Sequence, residues 1–280
     1  EKTYGVPSDI DDLVLTVIST TQIDLAWTEP ALNGYSLVEY EIFISEDNSS
    51  WTSLDTQTAI TYQATGLNAN DLYYFKVTTK NGFGTSGDSN IENDPTLPTP
   101  PAAVTLTVNS ATEILVQWNS PAGDQHTAFK LEVSTDGTNW TDEPNFPANT
   151  NTSYVDSGLT TLGVYYYKVS TINPSGTSVA STVSSAQTWG VPDAPTALTA
   201  TAVVGVEIDL DWTAPSNTHG QPITGYYIER GITNTSFSPI HTSTNTDTTY
   251  TDDDTNLVAG TEYFYRVSAI NSQGTGDPSN

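Results

Sequence analysis

Apolar and polar residues alternate along most of this chain. The stretch from Ile23 to Trp27 reads IDLAW, and the stretch from Tyr73 to Val77 reads YYFKV. A period of two is what a strand with one buried face requires, because successive side chains point to opposite faces. β-branched and aromatic residues, which suit a pleated and half-buried surface, carry these stretches. The pattern predicts many short strands, and no stretch of useful length has the period of a helix.

One motif occurs three times and sets the domain organisation. It consists of an apolar residue, a tryptophan 14 positions later (27−13, 118−104 and 212−198) and a proline three positions beyond the tryptophan. The tryptophans are Trp27, Trp118 and Trp212, which are 91 and 94 positions apart (118−27 and 212−118). A repeat of this length is a whole domain rather than a solenoid or propeller unit. About seven short strands in each repeat indicate a β-sandwich.

A second motif follows each tryptophan. It begins with a leucine, has a tyrosine six positions later (73−67), and continues with alternating apolar residues that end at an asparagine. Its members are Leu67, Tyr73, Phe75, Val77 and Asn81; Leu159, Tyr165, Tyr167, Val169 and Asn173; and Leu257, Tyr263, Tyr265, Val267 and Asn271. The two motifs together resemble those of the fibronectin type III family, and the resemblance covers nearly the whole chain.

The resemblance implies an all-β fold class with three tandem fibronectin type III-like Greek-key β-sandwiches. It places the tryptophan of each repeat in the core and a tyrosine corner at the tyrosine that follows each leucine. We place the domains at residues 6–95, 96–189 and 190–280, after a strand-like N-terminal segment at residues 1–5. The third domain is expected to lack its last strand within this chain, because the sequence ends shortly after Asn271.

Both ends of the chain suggest contacts with further domains. Thr3-Tyr4-Gly5-Val6-Pro7 is repeated as Thr188-Trp189-Gly190-Val191-Pro192, where the second domain meets the third. One interpretation is a window cut from a longer tandem array. The other is strand donation, in which the N-terminal segment completes the third domain of a neighbouring subunit and builds a filament. The candidate intersubunit strand is Glu1, Lys2, Thr3 and Tyr4. Under both interpretations the partners are copies of this chain or further domains of the same protein.

Composition narrows the setting of the protein. The chain has no cysteine, so it forms no disulfide, and its 33 Asp and Glu against 7 Lys and Arg give a net charge of −26. This field repels phosphates and anionic lipids, so we expect neither nucleic acid as a partner nor membrane insertion of this segment. The acidic, Ser-, Thr- and Asn-rich composition suits salt water, where screening softens self-repulsion, and it equally suits simple solubility. We expect an extracellular or cell-surface location.

Residues for catalysis are sparse. His126, His219 and His241 share no metal-ligand spacing, and the first two fall in loops where we expect them to be exposed. No serine lies in a Gly-x-Ser-x-Gly motif, and no glycine-rich phosphate loop opens a helix. We therefore expect no catalytic, cofactor-binding or metal-binding residues and no enzymatic activity.

Two groups of aspartates are candidate ligands for calcium. Asp252, Asp253 and Asp254 form a triplet in a lengthened loop of the third repeat, and Asp9, Asp11 and Asp12 lie near the start of the first. Calcium takes six to eight oxygen ligands, often from several carboxylates on loops. The triplet has no counterpart in the other repeats, so a solvated acidic loop is the alternative.

Four asparagines lie in glycosylation sequons: Asn48, Asn139, Asn151 and Asn234. Three of them precede, by one to three positions, an aromatic residue that recurs in each repeat at Trp51, Trp140 and Phe237. One glycan on the same hairpin of each domain is one interpretation. A polar turn that favours Asn and Ser is the other.

Lysine or arginine recurs at one outward position of the tyrosine-bearing strand. Lys76, Lys168 and Arg266 hold this position, and Glu132 and Glu229 on a neighbouring strand are expected to pair with the last two. Tyr74, Tyr166 and Phe264 form an outward aromatic position beside them. Three interpretations of these aromatic residues are open. They pack against a neighbouring domain, they bind peptide or the sugars of surface glycans, or they are isolated exposed aromatic residues without a partner.

The sequence thus predicts a non-enzymatic structural subunit of an extracellular or cell-surface filament, stalk or adhesin. It would act through end-to-end contacts of its domains, and strand donation is one way to make them. The alternative is a fibronectin type III spacer region of a larger secreted polysaccharide-degrading enzyme, and a receptor ectodomain is a third interpretation. Fold alone does not choose among them.

Overall fold

A computed structural model describes residues 4–123, 125–203 and 205–280 of this chain. These residues form 22 strands in six antiparallel sheets, and none of them lies in a helix. The first, middle and last thirds of the chain each form two sheets that pack face to face as a sandwich. The all-β fold class predicted from the period-two alternation is therefore confirmed.

The first sandwich contains seven strands: β1 (Val14–Val17), β2 (Gln22–Ala26), β3 (Leu37–Ser45), β4 (Thr52–Gln57), β5 (Thr61–Thr65), β6 (Leu72–Asn81) and β7 (Glu92–Pro95). One sheet has the order β1-β2-β5 and the other the order β4-β3-β6-β7. The chain crosses between the sheets after β2, before β5 and after β5, which gives the Greek-key connection that the family resemblance implies.

The middle sandwich has the same order with one short additional strand. Its elements are β8 (Val104–Ser110), β9 (Glu113–Trp118), β10 (Ala128–Ser134), β11 (Thr141–Asp142), β12 (Ser153–Ser157), β13 (Val164–Asn173), β14 (Gly176–Thr177) and β15 (Ser184–Gln187). The sheets are ordered β12-β9-β8 and β11-β10-β13-β14, and β15 also pairs with β13.

The third sandwich consists of β16 (Thr196–Ala202), β17 (Ile208–Thr213), β18 (Gly225–Thr233), β19 (Ser236–Thr242), β20 (Thr249–Asp252), β21 (Phe264–Asn271) and β22 (Gly274–Pro278). Its sheets are ordered β16-β17-β20 and β19-β18-β21-β22.

A buried tryptophan joins the two sheets of each sandwich. Its ring meets an aromatic ring of the opposite sheet edge-on, with centroid distances of 5.4 Å for Trp27 and Tyr40, 5.7 Å for Trp118 and Phe129, and 5.1 Å for Trp212 and Tyr226. Edge-on aromatic pairs add to the stabilisation from burial. The core position predicted for the tryptophans is confirmed.

The predicted tyrosine corners are also present. The hydroxyl oxygen of each corner tyrosine accepts a hydrogen bond from the backbone N–H five positions earlier. The pairs are Tyr73 with Asn68 at 3.0 Å, Tyr165 with Thr160 at 2.9 Å and Tyr263 with Val258 at 2.9 Å. The bond fixes the turn that leads into the strand, so the tyrosine acts on its local backbone as well as on the core.

The prediction that the third sandwich lacks its last strand needs a partial correction. β22 pairs with β21, so the first part of the final strand lies within the chain. Its Gly-Thr-Gly-Asp-Pro sequence has no apolar alternation because this edge strand is largely exposed. The second part corresponds to β7 and β15, which begin 11 positions after Asn81 and Asn173 (92−81 and 184−173), whereas nine residues follow Asn271 (280−271). The described residues of the third sandwich contain no equivalent of β7 and β15.

The chain divides into two compact units. One extends to Thr105 and includes Val116–Tyr154 and Tyr166–Ser184; the other comprises Leu106–Leu115, Val155–Tyr165 and Ser185–Asn280. In the described ranges no helix has the length and apolar character needed to cross a membrane.

Candidate functional site at the junctions between sandwiches

The connection after β7 reaches the middle sandwich through two adjacent residues, Thr96 and Leu97. Thr96 is fully buried; its N–H donates to the carbonyl oxygen of Asp71 at 3.1 Å and its hydroxyl donates to that of Asn68 at 2.6 Å. The side chain of Leu97 lies against Gly176 of the middle sandwich. Thr96 therefore fixes the chain to the first sandwich, and the next residue contacts the second.

The connection after β15 repeats this arrangement with Thr188 and Trp189. The Thr188 N–H donates to the carbonyl oxygen of Gly163 at 3.0 Å, and its hydroxyl donates to that of Thr160 at 2.6 Å. The Trp189 ring lies over Gly220 of the third sandwich, where a Cβ atom would overlap the ring. The threonine forms the same two bonds at both junctions.

Each threonine binds the turn that precedes the tyrosine-bearing strand, here called the corner turn. The corner turns are residues 67–71, 159–163 and 257–261. Each contains one residue with positive φ, namely Asn70 at 60°, Leu162 at 60° and Gly260 at 79°. Asn70 lies against Gly123 of the middle sandwich, and Leu162 lies against Gly190 in the connection to the third. This residue of the corner turn therefore contacts the next sandwich at the first junction and the connection that leads to it at the second.

A buried asparagine at the end of the tyrosine-bearing strand holds the incoming chain. Asn173 Nδ2 donates to the carbonyl oxygen of Thr96 at 2.7 Å. Asn271 Nδ2 donates to the carbonyl oxygens of Gly190 at 2.8 Å and Thr218 at 3.1 Å. Both side chains are buried, so each bond replaces lost contact with water. The recurrent asparagine of the second motif thus belongs to the junction.

The N-terminal end of the first sandwich is built like the second junction. The Gly5 N–H donates to the carbonyl oxygen of Asn33 at 3.3 Å, and the Gly5 carbonyl oxygen accepts from Asn81 Nδ2 at 2.9 Å. The Tyr4 ring lies against Gly34, as the tryptophan ring lies over its glycine at the second junction. The sequence repeat between residues 3–7 and 188–192 is therefore also a structural repeat, because Tyr4 and Gly5 make the same contacts as Trp189 and Gly190.

Tyr4, Tyr35 and Phe83 form a group of exposed rings at this end, here called the terminal aromatic cluster. The ring centroids of Tyr4 and Tyr35 are 5.5 Å apart, and those of Tyr35 and Phe83 are 5.8 Å apart. The three residues are exposed by 58, 38 and 59 %, respectively. Trp189, the equivalent of Tyr4 at the second junction, is half-buried. A contiguous exposed apolar surface of this kind marks a candidate contact site.

Of the candidate intersubunit strand, the structure describes only Tyr4, which belongs to no strand. Glu1, Lys2 and Thr3 lie outside the described residues. Strand donation by this segment stays a prediction.

No sequence motif singles out Thr96 as a junction residue. The two threonines are hard to recognise as equivalent because the residues after them differ. Thr96 precedes Leu97 and Pro98, whereas Thr188 precedes Trp189 and Gly190. Both threonines donate to backbone carbonyl oxygens. Every residue has such an oxygen, so the sequence does not show which one accepts the bond.

Comparison with known proteins places this architecture in a family. The sequence model of the Fibronectin type III domain matches residues 7–93 and 193–280, which together make up more than half of the chain. The chain belongs to the fibronectin type III family.

The relatives include, by name, a muscle protein and a bacterial exoglucanase. The chain is 29 % identical over 291 residues to the M-protein of striated muscle from Gallus gallus, covering 98 % of this chain and 20 % of that protein. It is 26 % identical over 278 residues to exoglucanase B of Cellulomonas fimi, covering 92 % of this chain and 23 % of that protein. A two-domain fibronectin type III segment of chicken tenascin covers 64 % of this chain and 99 % of that one, with 13 % identity and a TM-score of 0.42. The chain spans about a fifth of the length of these two curated relatives.

The two predicted ion pairs on the outward face are confirmed. Lys168 Nζ lies 3.6 Å from Glu132, and Arg266 Nε lies 2.6 Å from Glu229. Each of the three recurrent cations also lies over an aromatic ring, with distances to the centroid of 4.4 Å for Lys76 over Trp51, 4.3 Å for Lys168 over Trp140 and 4.5 Å for Arg266 over Phe237. Cation–π contact explains why an aromatic residue recurs at this position of every repeat.

The candidate glycosylation residues are all exposed. Asn48, Asn139 and Asn234 lie in the same hairpin of the three sandwiches, before β4, β11 and β19, and Asn151 lies before β12. Asn139 Nδ2 donates to Asp136 at 2.6 Å, so the hairpin uses this asparagine in its own turn. Glycan attachment stays a prediction.

Two of the aspartates considered for calcium, Asp252 and Asp254, bind an arginine. Arg230 donates to Asp252 at 2.8 and 3.1 Å and to Asp254 at 2.8 Å, and the Tyr265 hydroxyl donates to Asp252 at 2.8 Å. The backbone N–H of Asn256, followed by Arg230, lowers the pKa of Asp254 to about 2. Burial, followed by the bond to Asp252, raises the pKa of Tyr265. Within the described ranges no three His, Asp or Glu side chains are grouped to hold a metal ion, and calcium binding stays a prediction.

The expectation that His126 and His219 are exposed is wrong. Both are half-buried, because the His126 ring packs 5.5 Å from that of Phe129 and His219 Nε2 lies 2.8 Å from Asp193 Oδ1. A position in a loop does not determine exposure when the loop folds onto the sandwich.

Proposed function

We propose that this chain is a non-enzymatic structural subunit of an extracellular or cell-surface filament, stalk or adhesin. One observation carries the proposal: the same threonine bonds occur at both junctions, and Tyr4 and Gly5 repeat half of the second junction at the N-terminal end. Repeated hydrogen-bonded junctions are what a protein needs when it acts through end-to-end contacts of its domains. The partners are copies of this chain or further domains of the same protein.

In this proposal the middle sandwich is a third fibronectin type III domain, residues 96–189, between domains at residues 6–95 and 190–280. Its sheet order, its buried Trp118 and the tyrosine corner at Tyr165 support the assignment, because the first and third sandwiches share all three features.

Strand donation is the finer form of the same proposal. In the first domain β7 pairs with residues 72–75 of β6. The third domain has no strand at the equivalent edge of β21 within the described residues. An unpaired edge accepts an added strand through backbone hydrogen bonds, and a segment from a neighbouring subunit would supply it.

An extracellular or cell-surface location agrees with the acidic composition and with the exposed sequon in the same hairpin of each sandwich. Tyr74, Tyr166 and Phe264 are half-buried on the outward face of their strands, where they would contact a neighbouring domain or surface glycans. Mass spectrometry of peptides from the native protein tests glycan attachment at the four sequons.

Electron microscopy of the native assembly, with light scattering of the 280-residue chain at several concentrations, tests the proposal. We expect filaments or stalks whose repeat corresponds to whole domains, and a mass that rises with concentration. Discrete particles and a mass that stays that of one chain would overturn the proposal.

The second candidate is a spacer region of a larger secreted polysaccharide-degrading enzyme. The match to exoglucanase B along most of this chain favours it. The intact mass and peptide map of the native polypeptide decide the matter, because a polysaccharide-degrading domain in the same polypeptide would establish the spacer and exclude the free subunit.

A further inference from the structure

We infer that the third sandwich binds a neutral oligosaccharide in a groove between β19 and β20. These two strands are outer strands of its two sheets, so the groove follows one open side of the sandwich. This space is here called the edge groove. The inference adds a binding function and does not depend on the proposed end-to-end assembly.

Two adjoining clefts form the edge groove. Their volumes are about 630 and 360 Å³, both are lined by residues of β19 and β20, and Tyr250 belongs to both. The corresponding cleft of the first sandwich, beside Tyr73, has a volume of about 320 Å³. Sites for small ligands typically have volumes of roughly 300–1,000 Å³. The groove is therefore large enough for an extended ligand.

The middle sandwich fills part of the same space with one of its own rings. The Phe146 ring meets the rings of Trp118 and Tyr154 edge-on, with a centroid distance of 5.6 Å to each. Trp212 of β17 and Tyr250 of β20 hold these two positions in the third sandwich, and both line the smaller cleft. Within the described residues no aromatic ring joins these two as Phe146 joins its neighbours. A ring of the ligand would take the place of Phe146.

The wider cleft depends on two residues that the other repeats lack. Tyr250 precedes Leu257 by seven positions (257−250), and the equivalent spacing is five in the other two repeats (67−62 and 159−154). The lengthened segment carries Asp253, which lines the wider cleft. The edge groove is thus particular to the third sandwich.

A rigid set of polar side chains forms one wall of the wider cleft. Arg230 donates to Asp252 at 2.8 and 3.1 Å and to Asp254 at 2.8 Å, and Asn256 Nδ2 donates to Asp254 at 2.8 Å. Asp253 is exposed, and its carboxylate has no partner within the described residues. Asp253 is therefore available as an acceptor for hydroxyl groups of a ligand. A wall fixed before binding lowers the entropic cost of binding.

The lining of the groove indicates the chemistry of the ligand. Aromatic rings contact the apolar C–H face of a sugar ring, and carboxylates accept hydrogen bonds from its hydroxyl groups. Three aspartates against the single Arg230 leave the wider cleft negative. The pKa of Tyr250 is raised by burial and then by the charges of Asp252 and Asp253, which agrees with a negative field. This field disfavours an anionic saccharide, so a neutral one fits best.

An added peptide strand fits this side of the sandwich less well. β19 contains Pro239, which has no N–H to donate, and its pairing with β18 is irregular at two places. Addition of a peptide strand relies on a regular row of unpaired N–H and C=O groups along an edge. A ligand that is recognised through side chains is therefore favoured.

Titration of the full chain with neutral hexasaccharides tests the inference. The probes are cellohexaose, laminarihexaose, mannohexaose and N-acetylchitohexaose, and binding is followed by calorimetry and by NMR of the isotope-labelled chain. We expect at least one probe to bind and to shift the amide signals of Thr242, Tyr250 and Asp253. Affinity should change little between about 0.05 and about 0.5 M salt, because the ligand carries no charge. No binding of any of these probes would overturn the inference.

Substitutions in the groove locate the site. Tyr250→Ala should raise the dissociation constant about tenfold through loss of the ring, whereas Tyr250→Phe keeps the ring and should stay within about threefold of the natural chain. Asp253→Ala should raise the dissociation constant about fivefold through loss of an acceptor. Asp277→Ala is the matched control, because it removes the same charge from the exposed opposite edge of the same sheet, and it should leave affinity unchanged. Thermal unfolding like that of the natural chain confirms that Asp253→Ala and Tyr250→Phe fold.

Two further outcomes would overturn the inference. Saccharide binding that Asp253→Ala and Tyr250→Ala leave unchanged would place the site elsewhere on the chain. Binding of anionic oligogalacturonate or of a cationic arginine-rich peptide in preference to every neutral probe would show that the groove takes a different class of ligand. Filament formation by the native protein bears on neither outcome, so the proposed function is tested separately.

Discussion

The hydroxyl of Thr188 donates to the carbonyl oxygen of Thr160 at 2.6 Å and so ties the second junction to the corner turn behind it. Thr96 and Asn68 form the same bond at the same distance at the first junction. In both cases the threonine N–H donates to the same turn. The segment that leaves each of the first two sandwiches is therefore hydrogen-bonded before the next sandwich begins, unlike a free linker.

Replacing Thr188 with valine keeps the size of the side chain and removes its hydroxyl. We expect the free energy of unfolding to fall by about 1–2 kcal/mol, because the hydroxyl also accepts from the Gly163 N–H and both partners would lose it. Chemical denaturation, with hydrogen exchange of the Gly163 amide, measures the effect. Thr201→Val on the exposed face of β16 is the control and should change stability by less than about 0.5 kcal/mol. Equal effects of the two variants would contradict a role for the hydroxyl.

The contact between Trp189 and Gly220 predicts a specific cost for alanine. Gly220 has a φ of 86° and Gly66 a φ of 76°, but only at Gly220 would a Cβ meet a ring. Gly66→Ala should therefore cost about 1 kcal/mol from backbone strain alone, and Gly220→Ala should cost a further 1–3 kcal/mol or so from overpacking. Thermal unfolding of both variants measures the difference.

A double variant checks the cause of that difference. When Trp189→Ala removes the ring, adding Gly220→Ala should cost no more than Gly66→Ala does. An excess that persists without the ring would show that something other than the ring contact is responsible.

Asp252 joins Arg230 and Tyr265 inside the third sandwich, where the first sandwich has only apolar residues. Its removal in Asp252→Ala should cost about 2–4 kcal/mol, because the partly buried Arg230 guanidinium loses one of its two carboxylates and the Tyr265 hydroxyl loses its acceptor. The cost should appear in the unfolding of the third sandwich on chemical denaturation.

The first sandwich supplies the matched control for this cluster. The strand registers place Ile44, Phe75 and Ala64 where the third sandwich has Arg230, Tyr265 and Asp252. The triple variant Arg230→Ile/Tyr265→Phe/Asp252→Ala should therefore recover most of the stability lost in Asp252→Ala, since apolar replacement of a whole buried ionic group is often neutral or stabilising. A triple variant less stable than the single one would contradict this.

Asp254 should titrate below the usual range of an aspartate. The backbone N–H of Asn256 and the Arg230 side chain stabilise its charged form and lower its pKa to about 2, against about 3.9 in an unfolded chain. Because the folded pKa is the lower one, the stabilisation is complete above about pH 4 and is lost as the pH falls through about 2. NMR titration of the Asp254 carboxyl carbon checks this.

Arg230→Leu separates the two causes of the low pKa. The pKa of Asp254 should rise but stay below its usual value, because the bond from Asn256 is the larger cause and remains. A pKa that returned fully to the usual range would show that the arginine alone is responsible.

Much of the fold follows from local patterns. The period-two alternation predicts β2 and β6, the tryptophans mark the cores, and the leucine–tyrosine spacing marks the corners; all are in the structure. The outward pairs Glu132–Lys168 and Glu229–Arg266 were also predictable, because side chains alternate between the faces of a strand and equivalent repeats share a register.

What the sequence could not determine depends on residues brought together across the chain. Thr188 has backbone carbonyls as acceptors, His219 is half-buried because Asp193 approaches it, and Arg230 meets Asp252 only through the registers of two sheets. The sequence by itself determined the all-β repeats, since strand alternation and the tyrosine corner are set within a few neighbouring positions. Only the tertiary structure decided the junctions and the terminal aromatic cluster, because backbone acceptors look alike in every sequence and exposure depends on what packs against a side chain.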